Sequence, residues 1–527
     1  VTRLGYGPDH PATLPALLAG AGADFTVMDP EGTLDAAAFR ARVLAVAGGM
    51  RSAGIAPGER VALWLPNGAA YLAAIFACAR LDVLAIHINT RFRAAEVGSL
   101  LRRSGAVAVV TQWGFAPVDF PAILAGLPVE ERASLRTILA AGETARPETF
   151  AGLPVRPLLG DPAAAGPDEA APDAPCLTFT TSGTTSGPKL VLHDQKTIAG
   201  HARDVARRIG LDRPGAGYLA VVPFCGTFGN AAAMASVAGG ARIVCMPVFD
   251  GVAAEDHIRS HRLTHLIGGD DMLEKIVAAA KGRSFEGVVL SGFAAFRSTA
   301  AATIAAADAI GLAPRGLYGS SEIQALFSFS DDANRFLGGG VPSSPEVTLA
   351  VRDPETGEDL PKGASGELWI RAPSRFVEYL GNPEATAKVI GSDGFFRTGD
   401  LARLDGDGFV FEARIGDTMR LGGFLVSAEE IEAFLQAAPG VAGVQVVAAA
   451  PPGGEAVPVA FVKPDELGAD PEALMRRCRE GLARFKVPAR IVMVDAFPIV
   501  ESPNGPKVQK VRLREAAQAL LAKAEAA

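Results

Sequence analysis

Cysteine is scarce in this chain of 527 residues, and what there is lies scattered: Cys78, Cys176, Cys225, Cys245 and Cys478. No C-x-x-C pair occurs and the total is odd, so a disulfide framework and a cysteine metal site are both disfavoured. Buried thiols in a reducing cytoplasm are expected instead. Charge of one sign is also lacking, since the formal net charge is only −8. No basic excess marks a nucleic-acid or anionic-membrane surface, and neither is expected as a partner. Long apolar runs are absent too. The longest, Ala69 to Ala79, is too short to span a bilayer and reads as a buried helix. The segment from Pro11 to Ala23 lacks a basic leader and is broken by proline and glycine, which makes a poor signal peptide. There is no internal repeat. A cytoplasmic protein of two or more domains is the expectation, because 527 residues exceed what one core serves.

What is present is alternation. A helical pattern from Leu34 to Met50 precedes a strand (Val61 to Leu65), a helix (Ala69 to Arg80) and a strand (Asp82 to Ile88). A helix (Ala94 to Ser104) and a strand (Val107 to Thr111) follow, and the pattern resumes from Thr197 to Leu317. This predicts an α/β fold with mainly parallel sheets flanked by helices. Asp161 to Pro175, rich in Ala, Pro, Asp and Gly, reads as an exposed connector. After Pro345 short strands (347–351, 366–371, 408–411) separated by Asp/Gly turns suggest an antiparallel subdomain. From Ser427 the order helix, strand, strand, helix, strand suggests a small α+β C-terminal domain. The expected domains are 1–415 and 416–527.

One stretch carries most of the chemistry. Thr181-Ser182-Gly183-Thr184-Thr185-Ser186-Gly187-Pro188-Lys189 follows an apolar strand and packs two glycines, five hydroxyls and a lysine into nine residues. Glycine lets backbone N–H groups turn inward, hydroxyls donate hydrogen bonds, and lysine adds positive charge: the ingredients of a phosphate cradle. A flexible surface turn is the plainer alternative. No G-K-[ST] closes it, so it is not a Walker loop. It resembles the T-S-G-T-T-G-x-P-K loop of adenylate-forming enzymes, which include acyl-CoA synthetases, luciferases and peptide-synthetase adenylation domains. Ser186 and Gly187 stand where glycine and the variable residue are usual. Four more segments follow in that family's order. Tyr318-Gly319-Ser320-Ser321-Glu322 is similar to Y-G-x-T-E, and Thr398-Gly399-Asp400 to T-G-D. Arg414, Asp417, Arg420, Gly422 and Gly423 resemble the hinge run R-x-x-D-x-x-K-x-x-G. Lys507-Val508-Gln509-Lys510 resembles the C-terminal G-K-x-x-[KR].

The resemblance implies an AMP-forming carboxylic acid–CoA ligase that uses ATP, Mg²⁺ and CoA. It assigns the loop and Lys189 to the β- and γ-phosphates, Tyr318 to adenine, Ser321 to the α-phosphate and Glu322 to Mg²⁺, with Gly319 and Ser320 alongside. Asp400 and Arg414 are assigned to the ribose. Lys507 would bridge the attacking carboxylate and the α-phosphate, although Pro506 replaces the usual glycine before it; Lys510 is the alternative. Gly416 is the hinge position, where aspartate or lysine is usual, and glycine leaves rotation sterically easy. Gly422, Gly423 and Phe424 would line the thiol tunnel, or the glycines form a tight turn only. Phe224, Cys225, Gly226 and Phe228 fall in the acyl-pocket segment, where Gly226 replaces a common histidine. Gly292 and Phe293 fall in a second such segment. A ring at 293 would shorten the pocket and favour a short or compact acid, unless it is ordinary core. His193 is expected to be structural, and His257, His261 and His265 are not read as zinc ligands. Passing the acyl group to a separate carrier protein, a luciferase-type oxygenase and a non-enzymatic nucleotide-binding module are the other readings. Oligomeric state is open, a homodimer included.

Overall fold

The computed structural model describes the chain apart from residues 1–3, 143–145, 182–188, 295–299, 416–417, 422–423, 451–455, 483, 503–504 and 526–527. The expected crossover units assemble into two large sheets. The first has nine strands in the order 378–379, 189–194, 175–181, 84–87, 60–63, 108–112, 137–141, 153–157 and 149–150. Its middle is parallel: Arg60–Leu63 lies between Leu84–His87 and Ala108–Gln112. Lys189–Asp194 runs antiparallel to Pro175–Thr181, with Lys189 directly opposite Thr181.

The second sheet has thirteen strands. Pro314–Ser320, Leu290–Ala294, His265–Gly269, Gly217–Ala220 and Arg242–Cys245 are parallel neighbours. Beyond Pro314–Ser320 the chain reverses into Gln324–Phe329, and every later pairing within this sheet is antiparallel. The antiparallel strands expected after Pro345 form a wing hydrogen-bonded onto the parallel sheet through Gly339–Pro342. The reversal at 320–324 causes this, because it hands the sheet edge to a strand running the other way.

Helices fill the space between the sheets. In Ala69–Arg80 every residue from Tyr71 to Ala79 is buried, and in Thr227–Gly239 so is every residue from Gly229 to Ala238. Helices apolar on all sides belong inside. Each buried Phe or Leu there stabilises by about 1.5–3 kcal/mol. The connector after Gly160 is surface-lying yet pinned. Glycines 48 and 49 of helix Ala36–Ser52 let it approach so closely that a Cβ at either would lie about 2 Å from a carbonyl oxygen, at 2.0 Å from Asp161 and 2.1 Å from Leu158. Arg51 pairs with Glu169 at 2.6 Å. All five cysteines are buried and unbridged, and burial pushes the Cys225 thiol up to about 12.

After Arg414 the strands leave the large sheet. Thr418–Leu421 and Phe424–Ser427 form a hairpin, and Val441–Ala449, Val457–Pro464 and Arg490–Met493 a three-stranded sheet. Helices Ala428–Gln436 and Pro471–Gly481 cover one face through Ile431, Leu435, Leu474 and Cys478. The last helix, Lys510–Glu525, covers the other face through Leu513, Ala517 and Leu521. Asp470 caps Pro471–Gly481, with Pro471 at its first position. Among the described residues no helix is long and apolar enough to cross a membrane.

Candidate functional site

The turn from Tyr318 to Gln324 is the centre of the site, and its backbone is unusual. Gly319 sits so close to the returning strand that a Cβ would lie 2.5 Å from the Ala325 Cα. Gln324 and Leu326 hold φ of 65° and 62°, a region side chains rarely occupy. Such strain persists only where neighbours over-determine it. They do so here. The His193 ring donates to the Ser321 carbonyl at 2.7 Å, and the His201 ring to the Ala325 carbonyl at 2.8 Å. The Gln324 amide donates to the Thr197 carbonyl at 2.8 Å, and Thr227 Oγ1 accepts from the Ala325 N–H at 3.1 Å. His193 is therefore structural, as expected, and what it fastens is the carbonyl of Ser321. Burial pushes the His201 imidazole below its usual range, which keeps it neutral with its proton on the donating nitrogen.

On one flank of the turn lies Asp400, only 1 % exposed. It stands opposite Arg414 in the antiparallel pair Phe396–Asp405 and Gly408–Arg414, and Arg414 Nε is 2.9 Å from its Oδ1. The Tyr318 hydroxyl donates to the other carboxylate oxygen. Burial raises the Asp400 pKa, against the opposing pull of Arg414 and the Tyr318 hydroxyl. Thr398 supports the bend, with its Oγ1 donating to the Leu368 carbonyl at 2.7 Å and accepting from the Asp400 N–H at 3.0 Å. The Tyr318 ring meets Phe409 edge-on, with centroids 5.1 Å apart.

On the other flank lie Glu322, Tyr379 and Lys189. The Tyr379 hydroxyl donates to Glu322 Oε1 at 2.9 Å, and Lys189 Nζ lies 4.4 Å above the centre of the same ring. The Glu322 carbonyl accepts from the Phe376 N–H at 2.6 Å, and its N–H donates to Ser320 Oγ at 3.2 Å. Thr181 and Lys189 are paired across the two strands, so they frame the loop, whose residues Ser182, Gly183, Thr184, Thr185, Ser186 and Gly187 lie outside the described residues. The Glu322 carboxylate on this flank would suit Mg²⁺, which binds one or two carboxylates plus phosphate oxygens and keeps its waters.

The acyl-pocket candidates divide. Phe224 is fully buried, its N–H donating to Asn67 Oδ1 at 2.8 Å and its ring lying against Tyr71. Phe293 packs with Leu266, Met272 and Ile276, and a Cβ on Gly292 would strike Ile267 and Leu317. Both rings serve the core. Cys225 is buried, Gly226 caps helix Thr227–Gly239, and Phe228 is half-buried. His265 has both nitrogens engaged, by Thr264 Oγ1 and the Ile209 carbonyl, each at 2.8 Å.

In the C-terminal part, Lys507 lies on Gly505–Val508, paired with Ile499–Ser502 in the register Val500↔Lys507. Lys510 starts the last helix, and its Nζ is 3.5 Å from the buried Glu432 carboxylate. Phe424 opens its strand opposite Leu421. Gly416, Gly422 and Gly423 lie outside the described residues.

Sequence reasoning missed Tyr379, His201 and Gln324. Tyr379 is one of only five tyrosines, and that scarcity was the one available signal. Nothing in the order of residues says that the two-residue strand Glu378–Tyr379 joins the edge of Lys189–Asp194.

Comparison with known proteins identifies the family. The profile of the AMP-binding enzyme family matches residues 17–380, and that of the AMP-binding enzyme C-terminal domain matches 430–503. The chain belongs to the AMP-binding enzyme family. It is 31% identical over 489 residues to fatty acid–[acyl-carrier-protein] ligase ScoC of Streptomyces coeruleorubidus, covering 89% of each chain. It is 29% identical over 478 residues to feruloyl-CoA synthase of an Amycolatopsis species, covering 88% of this chain and 90% of that one. Among solved structures, the amide bond synthetase McbA from Marinactinospora thermotolerans aligns with a TM-score of 0.80 at 25% identity, covering 96% of this chain and 99% of that one.

Proposed function

We propose that this protein is an ATP-dependent carboxylic acid–CoA ligase working in two steps. A carboxylate oxygen attacks the α-phosphorus of ATP, the bond to pyrophosphate breaks, and an acyl-adenylate forms. The CoA sulfur, having lost its proton, then attacks the acyl carbon and AMP leaves. The observation that carries the reading is the single strained turn with Asp400, Tyr318 and Arg414 on one flank and Glu322 and Lys189 on the other. A nucleotide needs sugar-binding and phosphate-binding groups a few ångströms apart, with donors aimed at the centre where charge develops.

In this reading Tyr318 packs on the adenine, and Asp400 accepts from the ribose hydroxyls with Arg414 beside it. Thr181, the loop and Lys189 hold the outer phosphates, and Ser321 donates to the α-phosphate. Glu322 is the carboxylate that would hold Mg²⁺, the ion supplying charge neutralisation at the phosphates. Lys507 joins the two reacting anions. The ion pair of Lys510 with Glu432 supports this choice, because it commits Lys510 to the small domain's own packing. A domain boundary at 415/416, with Gly416 as hinge, would let Lys507 leave and Gly422, Gly423 and Phe424 line the thiol path. A short or compact acid is proposed on Phe228, since Phe224 and Phe293 serve the core.

The second reading, transfer to a carrier protein, is favoured by the named activity of ScoC. Mass spectrometry of products from mixed short, branched, aromatic and long acids with ATP, Mg²⁺ and CoA decides between them. A CoA thioester is the expected product. Acyl-AMP and pyrophosphate without thioester would move the case to a carrier acceptor, and no pyrophosphate from any acid would sink both.

A further inference from the structure

Tyr379 has no role in the reading above, yet it touches both charged groups of the phosphate flank. Its hydroxyl is 2.9 Å from Glu322 Oε1 and its ring face lies 4.4 Å from Lys189 Nζ. The ring is itself fixed. Tyr379 is 4 % exposed, its N–H donates to Thr386 Oγ1 at 3.0 Å, and its ring packs on Phe376 with centroids 4.9 Å apart. Its strand is registered Tyr379↔Val191 against the strand that Lys189 begins. Lysine and glutamate this near one another would tend to pair, and a pair would neutralise the two charges that phosphate and metal require. The tyrosine offers each a different partner: a π-face for the cation and a hydroxyl hydrogen for the carboxylate.

We propose that Tyr379 is a positioning residue that holds the Glu322 carboxylate oriented for the divalent ion and seats the Lys189 ammonium on its ring until the nucleotide phosphates draw it away. The proposal rests on Glu322 as the metal carboxylate and Lys189 as the phosphate lysine. Two functions on one side chain predict two separable losses. Tyr379→Phe keeps the ring and drops the hydroxyl, whereas Tyr379→Leu removes both.

The test is Mn²⁺ binding in the presence of ATP without acid, followed by electron paramagnetic resonance, together with calorimetric titration of ATP in EDTA. Tyr379→Phe is expected to weaken Mn²⁺ binding by about 10-fold, the order set by one hydrogen bond to a charged group. Its metal-free ATP affinity should stay within about twofold of the starting protein, as one retained cation–π seat implies. Tyr379→Leu should change the metal-free ATP affinity as well. Phe376→Leu supports the same ring less well but loses no hydroxyl, so it reports packing alone. Mn²⁺ binding unchanged in Tyr379→Phe, with Glu322→Gln weakened, would overturn the proposal and leave the Glu322 reading standing. Equal weakening in Phe376→Leu and Tyr379→Phe would also overturn it, in favour of a packing role. Unchanged binding in Glu322→Gln would remove the Glu322 reading itself.

Discussion

The two flanks of the Tyr318–Gln324 turn are built on opposite plans. At the proposed sugar flank a carboxylate that is 1 % exposed is gripped from both sides, by a tyrosine hydroxyl and by an arginine that is itself 60 % exposed. At the proposed phosphate flank the lysine rests on an aromatic face and the glutamate takes a neutral donor. The first plan fixes geometry before any ligand arrives. The second leaves charge uncommitted, so that an anion and a cation can claim it. A site that must hold a nucleoside still while its phosphates change needs both.

The largest effect should come from a residue on neither flank. Lys507→Ala is expected to slow acyl-adenylate formation by about 10²–10³-fold or more, the range for removing one preorganised charge donor. Thioester formation from supplied acyl-adenylate should survive. Pyrophosphate exchange and single-turnover thiol capture measure the two steps separately. Equal loss of both would mean that the lysine acts on the fold or on binding, and the division of labour would fail.

At the gripped flank, Asp400→Ala should weaken ATP binding by about 100-fold or more, because it removes the acceptor and leaves Arg414 and the Tyr318 hydroxyl without it. Calorimetry on the two flanks sharpens the contrast. Substitution at Lys189 should lower ATP affinity yet barely change adenosine affinity, whereas Asp400→Ala should lower both. Equal effects of the two substitutions on adenosine would erase the distinction between the flanks.

A pH profile probes the same carboxylate more gently. Folding raises the Asp400 pKa above that of an ordinary aspartate, through burial. The folded state therefore holds this proton more tightly than the unfolded chain, and the stability it contributes is present at low pH and lost as pH rises through the raised pKa. In its proposed ribose-binding role Asp400 acts in the ionised form, so ATP affinity should fall as pH drops, starting above the usual value of about 4. Arg414 pulls that pKa down. Arg414→Gln should therefore move the acid limb of ATP binding to higher pH. A limb that stays put or moves lower would show that some other group sets it.

How much of this was legible depends on whether the signal was local. The helix Ala69–Arg80 announced itself by an unbroken apolar run. Tyr318, Glu322 and Asp400 were legible because their types and order resemble a known family, although they meet only through pairings some 80 residues apart along the chain, such as Tyr318 with Asp400. Tyr379, His201 and Gln324 were not. Each acts through a contact that strand registry or helix docking creates, and neither is written in neighbouring residues. Phe293 was left open between pocket wall and core for the complementary reason: a ring on a buried strand has two faces to choose from, and only the fold shows that it belongs to the same buried cluster as Met272 and Ile276.

The smallest effect is expected at Lys510, and it separates this lysine from Lys507. Lys510 Nζ and the Glu432 carboxylate are 3.5 Å apart, with the side chains 19 % and 9 % exposed, and Glu432 Oε1 also accepts from the Val446 N–H at 2.8 Å. Lys510→Met keeps the stem and removes the charge, leaving a largely buried carboxylate with less compensation. The cost should be about 1–2 kcal/mol of stability, read as a lower denaturant midpoint at unchanged slope. Adenylation measured well below the transition should stay within about twofold of the starting protein, as for a substitution away from the reacting atoms. If Lys510→Met stopped adenylation while Lys507→Ala did not, the two lysines would exchange roles. The hairpin carrying Lys507 would then be a structural element, and the first residues of the last helix would supply the charge.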